Sequence, residues 1–185
     1  TERQAQPLLF LPYLQGERVP YWDPALRGAF IGLGRQHGAA DLAWAVLEGI
    51  GFLNREVLQR AETALGWKAR CIRFGGGAAL NPLWCQIKAD ICQRPVEVGE
   101  AREPGVIGAA AVAWTGLGHF ASLAEAQDRM VRIKSRFEPD PGKALAYDRL
   151  FDLFGRSGVA LAPLSRQLAG LSFGPAISRA PDASN

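Results

Sequence analysis

Residues 74–84 read FGGGAALNPLW, a triple-glycine turn between an apolar run and a predicted helix. Glycine lets the backbone approach a ligand closely, and the start of a helix offers unpaired N–H groups and the positive end of its dipole to an anion. Such a turn can hold a phosphate group. A glycine run between a strand and a helix also serves as a plain tight connection, so the turn alone leaves both interpretations open.

A second pattern lies upstream of the turn. Residues 28–33 read GAFIGL and residues 41–48 read DLAWAVLE, which together are similar to the C-terminal signature of the FGGY carbohydrate kinases. Residues 11–20, LPYLQGERVP, resemble the family segment ahead of that signature, and residues 75–90 resemble the family's adenosine motif. The resemblance covers about residues 8–155. It implies the nucleotide-binding domain of a sugar kinase, most like the xylulokinase and gluconokinase branch.

The composition argues against several classes of protein. An apolar share of 48% in 185 residues is ample for one packed domain, and the small net charge of +3 is scattered, without the basic stripe of a nucleic-acid surface. No apolar run approaches the roughly 18 residues that cross a bilayer, and the first residues lack the layout of a signal peptide. We therefore expect a cytoplasmic protein with no membrane or nucleic-acid partner. Three cysteines and two histidines show no metal-ligand spacing, so we expect no metal site of the chain's own.

Predicted strands and helices alternate along the chain, which indicates an α/β fold. Strands are expected near residues 8–11, 27–33, 68–74 and 94–98, and helices near residues 40–65, 81–92, 104–116, 122–130 and 141–154. Gly49 and Gly51 weaken the long helix unless a close neighbour requires them. The resemblance implies that residues 1–156 belong to an actin-like ATPase (ribonuclease H-like) domain, a mixed sheet flanked by helices. Residues 157–185, rich in alanine, serine, proline and glycine, are expected to form a flexible tail.

The resemblance also implies parts that this chain does not carry. The opening strands of the actin-like domain, with their phosphate-binding turn, should precede residue 1. The sugar-binding domain, with the aspartate that acts as base, is absent as well, so no catalytic residue is assigned here. We expect a fragment that cannot phosphorylate a sugar alone. In the family, the terminal phosphate of ATP passes, with Mg²⁺, to a sugar hydroxyl.

Five residues are assigned to the nucleotide by resemblance. Gly75, Gly76 and Gly77 would pass under the α-phosphate and ribose, while Ala78 and Asn81 would border the adenine. A side chain at Gly76 would occupy space that the phosphate needs. Asn81 offers a donor and an acceptor to a purine edge, but asparagine before proline is also a favoured helix start, and one residue can do both.

Other residues in the matched segments receive structural interpretations. We interpret Lys88 and Asp90 as surface charges and Trp84 as a core residue, because Trp84 shares a helix stripe with the isoleucines that follow it. Glu17 and Arg18 are expected to anchor their loop, with a contact to the sugar domain as the alternative.

The sequence leaves more than one candidate for the sugar substrate and for the type of activity. D-xylulose is the favoured substrate, and gluconate or the sugar of another FGGY kinase is the alternative. A noncatalytic actin-like module that binds nucleotide or a partner chain is a second reading, and a homodimer is left open too. A dinucleotide-dependent oxidoreductase is disfavoured, because the three consecutive glycines lack the spacing of that fingerprint.

Overall fold

The computed structural model describes residues 6–171 of the chain. Two small sheets and five helices make up this part of the molecule. In chain order the elements are β1 (Leu9–Leu11), β2 (Ala29–Ile31), α1 (Ala39–Leu65), β3 (Ile72–Phe74), a 3₁₀ turn (Gly77–Leu80), α2 (Pro82–Cys92), β4 (Val96–Gly99), α3 (Pro104–Gly116), α4 (Leu123–Met130), β5 (Ile133–Phe137), a second 3₁₀ turn (Pro141–Lys143) and α5 (Ala144–Ala169).

The strands form one antiparallel pair and one mixed sheet. β1 pairs with β2, while β4 lies between β3, its parallel neighbour, and β5, its antiparallel neighbour. The predicted α/β fold with a mixed sheet is therefore confirmed. Among the described strands, none pairs with the outer edge of β3.

The larger core lies where β1, α1, α2 and α5 meet. Its fully enclosed residues are aliphatic and aromatic, and include Leu11, Tyr13, Phe52, Ile91 and Phe154. Two glycines of α1 allow this approach: a Cβ atom on Gly49 would lie 2.3 Å from the backbone oxygen of Phe10, and one on Gly51 would lie 2.7 Å from Cδ1 of Ile91. The close neighbours expected from these glycines are thus the backbone of β1 and a side chain of α2.

A second core joins α2 to the mixed sheet. Val96 and Val98 of β4 point toward Cys85 and Ala89 of α2. Glu97, between the two valines, points to the opposite face of the sheet, since successive side chains of a strand alternate. There it pairs with two arginines, Arg73 of β3 and Arg136 of β5.

The last helix is longer than the sequence indicated. α5 continues to Ala169, so the predicted end at Phe154 is wrong, and residues 157–169 are helical rather than a flexible tail. Ser165 is buried and Arg166 pairs with Asp23 at 2.7 Å, so this extension is held against the loop that follows β1. The rest of the predicted tail, residues 172–185, lies outside the described residues.

Candidate functional site

The glycine turn begins where β3 ends. Gly76 has φ +82° and ψ −173°, a backbone conformation that residues with a side chain rarely adopt. The chain then enters the 3₁₀ turn, in which the N–H of Ala79 donates to the carbonyl of Gly76 at 3.1 Å. Glycine at position 76 is thus required by the shape of the turn itself, whether or not a ligand is near.

The two neighbouring glycines have different surroundings. A Cβ atom on Gly75 would lie 2.8 Å from Cγ of Pro104, so the turn touches the first residue of α3. A Cβ atom on Gly77, or on Gly76, would meet no described protein atom within 4 Å. The protein therefore leaves space beside Gly76 and Gly77, on a turn that touches a helix start.

Asn81 is the N-cap of α2. Its Oδ1 accepts a hydrogen bond from the backbone N–H of Trp84 at 3.3 Å, and proline occupies the first helical position. The structure thus shows one of the two roles considered for Asn81. The side chain is exposed, and its Nδ2 group has no partner among residues 6–171, which leaves two donors for a contact outside the chain. Ala78, in the preceding 3₁₀ turn, is half-buried.

Two helices start beside the turn, and their geometry suits an anion. α2 begins one residue after the 3₁₀ turn, and α3 begins at Pro104, in contact with Gly75. The N-cap residue of α3, Glu103, makes no side-chain cap hydrogen bond, so the first N–H groups of α3 are not satisfied by that side chain. Pro104 has no N–H, and the N–H of Val106 donates to the carbonyl of Glu103 at 3.1 Å, so the positive ends of the two helix dipoles are the main feature that favours a negatively charged group here.

A cleft of about 750 Å³ opens beside the turn, between the mixed sheet and the pair α3 and α4. Its volume lies in the usual range for small-molecule sites. Its lining combines apolar residues of α3 and α4, such as Ile107 and Met130, with the charged residues Arg73 and Glu97 of the sheet. The cleft thus offers both apolar surface and ionic groups next to Gly75.

Asp90 is not a surface charge, which corrects the interpretation from the sequence. Its side chain is 2% exposed and accepts three hydrogen bonds, from Gln86 Nε2 at 2.7 Å, the backbone N–H of Asp140 at 2.9 Å and Lys143 Nζ at 2.9 Å. A buried carboxylate is stable only when such donors surround it. Asp90 therefore joins α2 to the segment that starts α5.

Lys88 is not a surface charge either, because it is only 4% exposed. Its ammonium donates to Oδ1 of Asn54 on α1 and lies 4.6 Å from the ring centre of Phe74 and 6.0 Å from that of Trp84. Burial lowers the pKa of Lys88 below its ordinary value. The sequence carried a signal for this burial: Lys88 lies at helical spacing between Cys85 and Cys92, and cysteine is among the residue types most often buried.

Trp84, predicted to lie in the core, is half-buried. Its ring packs edge-on against Phe74 with the ring centres 5.9 Å apart. The indole N–H is buried and has no hydrogen-bond partner among the described residues. Ring contacts, rather than a hydrogen bond, therefore set the orientation of this side chain.

Residues 6–171 form neither a cluster of metal-ligating side chains nor a helix that could cross a membrane. No group of three or more His, Cys, Asp or Glu side chains there could hold a metal ion. In the same part of the chain, no helix is long and apolar enough to cross a membrane.

Comparisons with known proteins place the chain in a family. Residues 1–117 match the model of the C-terminal domain of the FGGY family of carbohydrate kinases. A xylulose kinase of Staphylococcus epidermidis is 34% identical over 150 residues, which are 81% of this chain and 30% of that protein.

Solved structures give the same result. Ligand-bound xylulose kinase from Lactobacillus acidophilus superimposes with a TM-score of 0.78 at 32% identity, and gluconate kinase from the same species with 0.76 at 32% identity. Each match covers 87% of this chain and 32% of the other, so the chain spans about a third of the length of these relatives. These kinases have the actin-like ATPase fold. The chain belongs to the FGGY family of carbohydrate kinases, within the C-terminal domain of that family.

Proposed function

We propose that this chain is the nucleotide-binding part of a kinase that transfers the terminal phosphate of ATP to a hydroxyl group of D-xylulose. The observation that carries the proposal is the turn at Gly75, Gly76 and Gly77, which presents open space beside two helix starts in a chain 34% identical to a xylulose kinase. Gluconate is the second candidate substrate, because a gluconate kinase superimposes nearly as well as a xylulose kinase.

In this proposal the chain supplies the seat of the nucleotide. Gly76 and Gly77 face the phosphates and ribose, Ala78 borders the adenine, and Asn81 adds its free Nδ2 donors at the purine edge. The sugar oxygen attacks the terminal phosphorus, the bond from that phosphorus to the bridging oxygen breaks, and ADP leaves. Such a transfer depends on position and charge stabilisation, and the start of α3 contributes positive potential. The base that takes the hydroxyl proton is assigned to a part of the protein outside this chain.

Mg²⁺ belongs to the proposal as a companion of ATP. The residues described here form no carboxylate cluster that would hold the ion by itself. Mg²⁺ is commonly bound through substrate phosphates and one or two carboxylates, with water completing its shell. We therefore expect the ion to arrive on ATP. A cytoplasmic location and a homodimer stay predictions from the sequence.

The activity is tested with the full-length protein. Release of ADP is measured with D-xylulose, with gluconate and without sugar, and we expect D-xylulose to give the highest kcat/KM. Turnover of gluconate alone would select the second substrate. If neither D-xylulose nor gluconate caused ADP release, the assignment to the xylulokinase and gluconokinase branch would be refuted. The 185-residue chain alone should transfer no phosphate to either sugar.

The nucleotide seat is tested at Gly77 rather than at Gly76. Gly76→Val would strain the turn even without ATP, because of its positive φ. Gly77→Val places a side chain in space that the protein leaves empty, so the fold should tolerate it and ATP binding should weaken by about tenfold or more through steric exclusion. Unchanged ATP affinity in a folded Gly77→Val protein would contradict the placement of the nucleotide.

A further inference from the structure

We propose that Lys88 is a positioning residue of the nucleotide site, which fixes the two ends of the glycine turn relative to each other through Phe74 and Trp84. This inference rests on the proposed function, because it concerns the same turn. The group formed by Lys88, Asn54, Phe74 and Trp84 is called the Lys88 clamp below.

The clamp touches both ends of the turn. Phe74 is the last residue of β3 and is followed directly by Gly75. Trp84 lies in the first turn of α2, and its backbone N–H donates to Asn81, the residue that closes the 3₁₀ turn. The ammonium of Lys88 lies against both rings, so one charged group connects the strand that enters the turn with the helix that leaves it.

The middle of the turn, Gly76 and Gly77, has few other restraints. Gly76 and Gly77 have no side chain, and a Cβ atom on either would meet no described atom within 4 Å. The indole N–H of Trp84 also lacks a partner in the described part of the chain, so contacts with Phe74 and Lys88 orient the ring. Gly75 is held by Pro104 and Ala79 by its burial in the second core, whereas the position of Gly76 and Gly77 depends on the residues at the two ends of the turn.

A charge at this place is costly for the fold. Burial of an ammonium loses hydration, and no ion pair joins Lys88 to a carboxylate within residues 6–171. In the described part of the chain the one hydrogen-bond acceptor of Lys88 is Asn54, a neutral and exposed residue of α1. An apolar side chain of similar size would be neutral for stability or better. What the ammonium adds is attraction to two aromatic faces, which is strong when the cation is desolvated.

The test uses the full-length protein with Lys88→Met, which keeps the length and removes the charge. We expect the KM for ATP and the Kd for ADP to rise about tenfold, because without the clamp the turn would hold its binding-competent position only about a tenth of the time. The kcat, the KM for the sugar and the thermal midpoint should stay close to the wild-type values. Lys68→Met, at an exposed lysine after α1, is the matched control and should change none of these quantities.

A second variant guards against loss of folding. Asn54→Ala removes the oxygen that holds the ammonium but alters an exposed position, and it should raise the KM for ATP in the same direction by a smaller factor. Unchanged ATP and ADP constants in folded Lys88→Met would overturn the positioning role. Equal losses in ATP and sugar affinity would also overturn it, because they indicate general damage.

The outcomes separate this inference from the proposed function. Calorimetry with ADP reports on the turn whichever sugar the enzyme accepts. Failure of the wild-type protein to bind ADP would overturn both proposals, whereas ADP binding that is insensitive to Lys88→Met would overturn this one alone.

Discussion

Gly75 lies directly against Pro104, so closely that a Cβ atom on the glycine would be 2.8 Å from Cγ of the proline. The contact places Gly75, the residue before the positive-φ Gly76, against Pro104, the first residue of α3. It fixes the distance between the turn and the start of that helix, the two features that the proposed nucleotide site combines. The absence of a side chain at position 75 therefore allows α3 to approach the turn this closely.

We expect Gly75→Ala to destabilise the protein by about 1–3 kcal/mol, because the added methyl group overpacks a close contact. The affinity for ATP should fall too, since α3 must move away from the turn. Denaturant titration and ADP calorimetry measure the two effects. Gly105→Ala, one residue into α3, is the control: a Cβ atom there would meet nothing within 4 Å, and alanine favours a helix. Equal stability of the two variants would show that the contact does not constrain the turn.

The buried carboxylate of Asp90 gives a second prediction. Asp90→Ala removes three hydrogen bonds to a charged group and should lower the free energy of unfolding by about 3 kcal/mol, as the start of α5 loses its attachment to α2. Denaturant titration measures the loss. Asp152→Ala, which breaks an ion pair between exposed side chains of α5, should cost about 0.5 kcal/mol or less. If both variants lost the same stability, the hydrogen bonds of Asp90 would contribute no more to the fold than an exposed ion pair does.

The order and type of the elements could be predicted from the sequence because hydrophobic periodicity and glycine or proline signals agreed there. The 27-residue helix α1 is the clearest case, with its inward glycines explained by Phe10 and Ile91. The end of α5 was missed for a physical reason. Gly155, Gly158 and Pro163 indicate a helix end locally, yet the helix continues through all three, and its contact with Asp23 comes from a distant loop.

The candidate site shows the same limit. A glycine-rich turn before a helix was visible in the sequence, but the reason for each glycine was not. Gly75 is required by the close contact with Pro104, and Gly76 is required by its positive φ. Lysine is seldom buried, and this general tendency favours the surface interpretation that proved wrong for Lys88. Periodicity alone, which places it between Cys85 and Cys92, was the better guide.

The lowered pKa of Lys88 predicts how stability depends on pH. Burial lowers this pKa below the ordinary lysine value of 10.5, so between the two values the unfolded chain binds a proton that the folded protein does not. The free energy of unfolding then rises with pH in that window. We expect the stability of wild type minus that of Lys88→Met to increase as pH rises toward 10.5. Below the lowered pKa the difference should be constant.

Two neighbouring thiols must be considered in that experiment. Cys85 and Cys92 lie on the same helix face as Lys88, and burial raises the pKa of both, that of Cys92 to about 11. Lys88 itself lowers the pKa of both thiols, so their contribution differs between wild type and variant above the ordinary thiol pKa of 9.0, and the slope below that pH is the part that reports on Lys88 alone. The exposed-lysine variant Lys68→Met should show no slope. A flat difference for Lys88→Met as well would mean that Lys88 keeps an ordinary pKa.

The open surface around α3 leads to the last prediction, that the isolated 185-residue chain associates with itself. Val106 and Leu117, three helical turns apart on one face, are 66% and 74% exposed, and no described strand pairs with the outer edge of β3. Exposed apolar faces and open strand edges promote association. Sedimentation velocity should therefore show species larger than a monomer that grow with concentration.

Lysine substitutions identify the surface involved. Val106→Lys combined with Leu117→Lys should shift the sedimentation profile toward the monomer, because charge on the α3 face opposes its burial. Val159→Lys changes an equally exposed apolar residue on α5, away from that face, and should leave the profile as in wild type. A single monomeric species with cooperative unfolding in the unmodified chain would show that these residues close their own core, and that neither the α3 face nor the edge of β3 needs a partner.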